Sequence, residues 1–382
     1  MRMRKQTMET ATATAALLGI GTALPVCGIS QGRAAELASL VAGHTEDEAM
    51  RLSVLYGLTG VARRHIAMLD PGEVVPAALK GLAQGPMTAW RMRRYDEQVR
   101  PIALAASAAA LADSGRGASD LTHLVTVSCT GFAAPGFDLG LIRDLGLDPG
   151  VERTHVGFMG CHGALNGLRV ARALAASEPG STVLLCAAEL CSLHFRFGGG
   201  TEQSVVNALF ADGAAAAVVG QAEADTEAAG PESDLPDDGP RAHWRLAASG
   251  SVLIPGTAGA MTWGIGDHGF DMTLSPEIPA LIRAHLPGWL DGWLGRQGLS
   301  TAAVGSWAVH PGGPRILDAV RDSLGLDRNA LDDSRAVLAA YGNMSSPTIL
   351  FILDRLTRRD APRPCVALGF GPGLAVEAAL FV

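Results

Sequence analysis

The sequence predicts a layered α/β fold assembled from two similar halves, and three observations carry that expectation. Short apolar runs rich in Val, Leu and Ala alternate with longer helix-like stretches, the pattern of strands buried on both faces. One segment, QAEADTEAAGPESDLPDDGPRAHW, is acidic, contains Pro and Gly and is poor in apolar residues, so it reads as a solvated connection near residue 230. Each side of that connection ends in strand-like apolar runs, AAAAVVG before it and CVALGFGPGLAVEAALF at the C-terminus. The expected division is therefore 1–230 and 231–382.

The elements follow in chain order. The start, MRMRKQTMETATATAALLGIGTALP, is basic and then apolar. Met8 to Thr14 is polar, however, and the apolar part is short and broken by glycine, so a disordered lead-in and then a first strand are expected. Further strands are predicted at LTHLVTVS, STVLLCAAEL, AAAAVVG, SWAVH, PCVALGF and LAVEAALF. Helices are predicted over Gln31 to Ala42, Glu97 to Asp113, His162 to Ala176, Glu277 to Gly295, Gly313 to Leu324 and Met344 to Arg358. No short-period repeat is visible, which sets solenoids and propellers aside.

Bulk properties narrow the function. The chain has 382 residues, 48% of them hydrophobic and 18% charged, the balance of an ordered globular protein with a large core. A net charge of −8 gives no general attraction to nucleic acid or an anionic membrane, so no nucleic-acid partner is expected, and an anionic ligand must meet a local basic patch. Nowhere do eighteen apolar residues run uninterrupted, so no membrane span is expected. The six cysteines (Cys27, Cys129, Cys161, Cys186, Cys191, Cys365) form no C-x-x-C pair, which argues against a zinc ribbon or disulfide framework and fits a reducing, cytoplasmic setting.

Three residues stand out chemically. Cys161, in GFMGCHGALNGLR, lies between glycines directly ahead of a predicted helix, whose unpaired N–H groups would favour a thiolate. His310 ends the strand of SWAVHPGGPRIL, where Pro-Gly-Gly turns the chain into a helix. Asn343, in YGNMSSPTILFIL, precedes another helix. Each has a bland reading: a buried small hydrophobe, a turn histidine and a capping asparagine.

Together these segments carry a resemblance. The chain resembles the type III polyketide synthases, the chalcone synthase-like family of the thiolase superfamily, in its bacterial form. GCHGALNGLR, HPGGPRIL and YGNMSSPTILFIL are similar to the family's cysteine, histidine and asparagine motifs, and GFGPGLAVEAALF to its C-terminal ending. GIGTALP, SCTGFAAPG and NALFADGAAAAVVG match in the expected order, so the likeness spans nearly the whole chain. It implies a five-layered αβαβα thiolase-like fold, a homodimer, and carbon–carbon bond formation from an acyl-CoA starter and a malonyl-CoA-type extender. No cofactor or metal is implied, CoA thioesters being substrates.

The resemblance also distributes roles. Cys161 would carry the acyl chain, kept as thiolate by a His310 imidazolium and the helix field, and His310 with Asn343 would hold the enolate left by decarboxylation. Phe210 matches an aromatic gatekeeper, and Met272 falls where the family has a second phenylalanine. Cys129, Thr130, His194, Trp263 and Ser345 fall at cavity positions, and the backbone of Gly371, Pro372 and Gly373 would help shape the cavity. His194 stands where threonine is usual and Trp263 where plant enzymes have glycine, which removes volume. Arg63 and Arg64 match the CoA-binding segment, with Ala62 in place of a family lysine, and RMRRY (Arg91 to Tyr95) is either a second basic cluster or a solvated helix face. The dimer-bridging methionine of the family corresponds to Ala134.

Rival readings are few. Cysteine, histidine and asparagine in that order also occur in papain-like proteases, but the C-G-[SA]-C-[WY] context is missing. A ketoacyl carrier-protein synthase III shares fold and triad, yet HPGGP and GFGPGL favour the type III synthases. A non-enzymatic acyl-binding scaffold has no need to keep all three groups.

Overall fold

A computed structural model describes residues 15–70, 72, 84–197, 200–221 and 244–382. The expected lead-in lies outside the described residues, as does the acidic connection except at its ends, where Gln221 closes one strand and Trp244 opens the next. The N-terminal part contains β1 (Ala15–Ala23), β2 (Gly28–Ser30), α1 (Gln31–Ala42), α2 (Glu46–Gly57), β3 (Arg63–His65), α3 (Thr88–Ser114) and β4 (His123–Ser128). It continues through α4 (Phe137–Leu145), β5 (Glu152–Gly157), α5 (Gly163–Ser177), β6 (Val183–Leu190), α6 (Thr201–Leu209) and β7 (Asp212–Gln221). The C-terminal part begins with β8 (Trp244–Leu253), β9 (Met261–Gly266), β10 (Gly269–Leu274), α7 (Ile278–Gly295) and β11 (Ser306–Val309). It ends with α8 (Pro314–Leu324), α9 (Asp332–Tyr341), α10 (Thr348–Arg358), β12 (Cys365–Gly371) and β13 (Ala375–Phe381).

The main strands form two sets with one design. In the first, β7 runs antiparallel between β1 and β6, and β6, β4 and β5 are parallel. In the second, β13 runs antiparallel between β8 and β12, and β12 and β11 are parallel. The sets meet where Ala16 and Leu17 of β1 pair with Arg245 and Trp244 of β8, giving one order, β11-β12-β13-β8-β1-β7-β6-β4-β5.

Helices complete the layers. α3 and α4 cover the outer face of the first set, and α7 and α8 that of the second. Between them lie α5 and α10, packed against strands of both sets. The result is the αβαβα order of the thiolase-like fold. Burial on all sides explains the composition of the middle helices: Gly163 to Leu168 and Thr348 to Leu353 are buried without a break. Truncating one such leucine to alanine costs about 2–5 kcal/mol.

Several bounds differ from expectation for physical reasons. α3 starts at Thr88, not Glu97, because burial of Arg91, Tyr95, Val99 and Ile102 carries the helix through Pro101. α10 starts at Thr348, not Met344, because Ser345 takes a left-handed φ of 57° in the turn that presents Asn343. α2 was not expected, although Thr45 and Glu48 form a capping box at its start.

Candidate active site

Two strand-to-helix junctions and one helix-to-helix turn build the site. Cys161 occupies a single 3₁₀ turn, Gly160–His162, that leads into α5. Gly160 has φ of 75°, and a Cβ there would run into Pro372 of the GFGPGL segment, so only glycine permits both the turn and that close approach. The thiol is thereby held at a helix start with the C-terminal segment pressed against it.

His310 follows β11, its N–H donating to the Leu368 carbonyl at 2.8 Å. Its side chain is 1% exposed, yet neither ring nitrogen has a partner among the described residues. Buried polar atoms are ordinarily satisfied, so a histidine left open on both sides points to a ligand. Asn343 lies between α9 and α10, clamped by its N–H to the Leu209 carbonyl at 2.9 Å and by its carbonyl to the Ala211 N–H at 2.8 Å. Its Oδ1 accepts from the Ser345 N–H at 2.8 Å, which turns the amide N–H₂ toward Cys161.

Cys161, His310 and Asn343 line one cavity of about 480 Å³, together with Phe210 and Met272. A smaller adjoining space is lined by Cys161, Cys129, Thr130, Trp263, Ser345 and Pro372. Phe210 and Met272 border both and also a third, apolar cavity beyond Cys191. Gly371 and Gly373 lie behind the wall, Gly371 against His162 and Gly373 bonded to Met261 and Thr257.

Burial governs the electrostatics. It pushes the Cys161 thiol up to about 11, against the lowering effect of hydrogen bonds from Ser345 and Asn343. Burial also pushes the His310 imidazole down to about 3, with His162 adding to the shift. Desolvation thus opposes the thiolate–imidazolium pair that the resemblance implies. Such a pair can gain its stability only from mutual attraction.

Trp263 borders the smaller space beside Cys161, whereas His194, expected at a cavity position, borders only the third, apolar cavity and reaches the site through its contact with Trp263. The His194 ring stacks on Phe270 with centroids 4.1 Å apart, and Trp263 meets both rings edge-on. Trp263 Nε1 donates to the Cys129 carbonyl at 2.6 Å.

The basic residues depart from expectation. Arg64 is 3% exposed and spends its guanidinium donors on Gln31 Oε1 and the carbonyls of Asn207, Ala208 and Phe210. No donor is left for a CoA phosphate, so Arg64 is a structural clamp. Arg63 is exposed on β3 and borders none of these three cavities. RMRRY is neither a basic cluster nor a solvated face throughout, since Arg91 and Tyr95 point inward.

Two further residues escaped the sequence reading. Glu189, on β6 and fully buried, accepts from the Cys129 N–H and thiol, the Thr130 hydroxyl at 2.6 Å and the Ser346 hydroxyl at 2.6 Å. Burial raises its pKa while those donors oppose the rise. A lone glutamate in the apolar run LLCAAEL was its visible signal. Arg315, exposed at the start of α8, borders the cavity shared by Cys161, His310 and Asn343 and was visible in HPGGPRIL.

Residues 2–223 match the N-terminal domain of the chalcone and stilbene synthases, and residues 245–382 match their C-terminal domain. The chain is 35% identical over 382 residues to 1,3,6,8-tetrahydroxynaphthalene synthase of Streptomyces peucetius subsp. caesius, covering 99% of this chain and 94% of that protein. It is 30% identical over 376 residues to an alpha-pyrone synthesis polyketide synthase-like protein of Mycobacterium tuberculosis, covering 97% and 91%. Among solved structures, PKS-I from the brown alga Ectocarpus siliculosus superposes with a TM-score of 0.87 at 31% identity, covering 98% of this chain and 99% of that one.

Proposed function

The chain belongs to the chalcone and stilbene synthase family and is a type III polyketide synthase, a condensing acyltransferase; from that premise we propose how its residues act. Cys161 passes its proton to His310, and its sulfur attacks the carbonyl of an acyl-CoA starter. CoA leaves as the thiol, taking that proton. A malonyl-CoA-type extender then loses carbon dioxide, and the electron pair of the broken bond becomes an enolate. The His310 N–H and the Asn343 amide meet its oxygen. The enolate carbon attacks the acyl carbonyl on Cys161, and the sulfur departs as thiolate. Repetition and ring closure give a pyrone or a phenolic product, the two product types that the relatives' names span.

The observation that carries this reading is the open, buried His310 in the cavity shared with Cys161 and Asn343. The direct test is incubation with radiolabelled malonyl-CoA and a panel of acyl-CoA starters. Labelled condensation products formed without any carrier protein are expected. An obligate acyl carrier protein would instead mark a single-round enzyme of the ketoacyl synthase III type.

Proton transfer to His310 has its own signature. With burial holding the thiol pKa near 11, His310→Ala is expected to slow iodoacetamide alkylation of Cys161 at pH 7 by about tenfold. Its pH profile should move upward, because the proton acceptor is gone. Unchanged alkylation would remove His310 as the proton acceptor.

Arg315 is assigned to the approaching CoA. Arg315→Glu is expected to raise KM for acyl-CoA about tenfold, by reversing a charge that faces phosphate. Short N-acetylcysteamine thioesters, which lack the phosphates, should keep their KM. Equal changes for both would deny the assignment.

The halves 1–230 and 231–382 are taken as the two structural units. A homodimer is proposed through the β5 edge, beside which Phe132 is 69% exposed and Phe158 40%. A monomer in analytical ultracentrifugation at micromolar concentration would dismiss it. No described helix is long and apolar enough to cross a membrane.

A further inference from the structure

Arg91 lies in the first turn of α3 with its side chain wholly removed from solvent, the most buried arginine among the described residues. Its Nε donates to the Pro86 carbonyl at 2.8 Å. Its Nη1 donates to the carbonyls of Leu193 and, at 3.0 Å, Phe195, the two residues that flank His194. Gly269 covers the guanidinium from the other side at φ of 106°, where a Cβ would stand 3.1 Å from Arg91 Cζ. Gly269 precedes Phe270, on whose ring His194 stacks. Thr88, in the same helical turn, holds the hairpin as well: its N–H donates to the Asp267 carbonyl at 2.8 Å, and its hydroxyl accepts from the Gly269 N–H at 2.9 Å. The first turn of α3 thus holds two walls, residues 193–195 of the N-terminal part through Arg91 and the β9–β10 turn of the C-terminal part through Thr88, with Gly269 of that turn lying close to the guanidinium.

Burying a guanidinium is costly, and here Nη2 finds no partner among the described residues. What the residue supplies in return is a planar group whose donors are fixed in direction, whereas the three donors of an ammonium rotate freely. Burial lowers its pKa only to about 10, so it stays charged at neutral pH. His194 beside it is neutral, pushed down to about 3 by burial first and by the Arg91 charge in addition. Its Nδ1 accepts from the Phe270 N–H at 3.0 Å, so Nε2 carries the proton and donates to the Thr130 carbonyl at 2.7 Å.

We propose that Arg91 is a positioning residue for product fate: by locking His194 and Phe270 against Trp263, it sets the place of the Trp263 ring, which borders the space beside Cys161 where the chain folds. This rests on the polyketide synthase reading and on no particular starter. The test compares wild type, Arg91→Lys and Arg91→Met using labelled malonyl-CoA with acetyl-, hexanoyl- or benzoyl-CoA, whichever wild type accepts best. Arg91→Met should acylate Cys161 and release carbon dioxide within about twofold of wild type, while the ratio of main product to derailed lactones falls about tenfold, because small displacements misplace reacting groups. Arg91→Lys, which keeps the charge and one carbonyl bond, should recover part of that ratio. An unchanged ratio in folded Arg91→Met overturns the proposal, as does carbon dioxide release that falls in step with product.

Should Arg91→Met fail to fold, Gly269→Ala decides the matter by pressing a methyl onto the guanidinium from the hairpin side. The same shift in ratio supports the bracing role, and an unchanged ratio overturns it. A wild type that yields no labelled condensation product overturns the synthase reading itself, an outcome distinct from an altered ratio.

Discussion

Cys161→Ala is expected to abolish labelled product, lowering turnover by about 10⁴-fold or more, because the covalent tether for every intermediate is lost. The substitution is small and local. Cys161 is buried in a 3₁₀ turn, so the alanine removes one sulfur while Gly160, Pro372 and the start of α5 keep their packing. Intact-protein mass spectrometry should show the acyl adduct in wild type and none in the variant. Cys129 and Cys191 lie close by, and burial pushes both thiols well above the usual range, so neither should stand in for the missing one. Labelled product that persists in the variant would contradict the assignment of Cys161.

Asn343→Ala is expected to cut carbon dioxide release from malonyl-CoA by about 10²–10³-fold, the usual cost of one oxyanion donor. Acylation of Cys161 should fall much less, since Asn343 shares the thiol's hydrogen bonding with Ser345. Alanine also strands the buried Ser345 N–H, so a second variant separates geometry from charge. Asn343→Asp keeps an oxygen for that N–H but places a carboxylate where the enolate forms. Its decarboxylation should be at least as poor as that of the alanine variant, with the fold intact. Equal loss of acylation and decarboxylation in both would count against the enolate role.

Both predictions draw on residues that were readable before any coordinates. Cys161, His310 and Asn343 each sit in a contiguous motif whose local conformation the chain itself dictates: a glycine turn, a Pro-Gly-Gly exit, a helix start. α1 and the buried strands were legible for the same reason, since periodicity is a local property. The capping box of α2 was equally local and equally readable, though unread. The arginines were another matter. RMRRY looks like a basic cluster, and nothing in those five letters says that Arg91 will meet the carbonyls of Leu193 and Phe195. Likewise Arg64 owes its loss of phosphate-binding capacity to Gln31 and to a segment about residue 208, far away along the chain.

The amino-acid order alone settled which reactive groups this protein carries and the succession of strands and helices that holds them, because covalent neighbours decide both. Only the folded chain decided where charge ends up. Whether a guanidinium contacts solvent, a phosphate or a buried carbonyl depends on desolvation and on partners contributed by remote segments. The same holds for Glu189, whose donors Cys129, Thr130 and Ser346 converge on it from both parts of the chain.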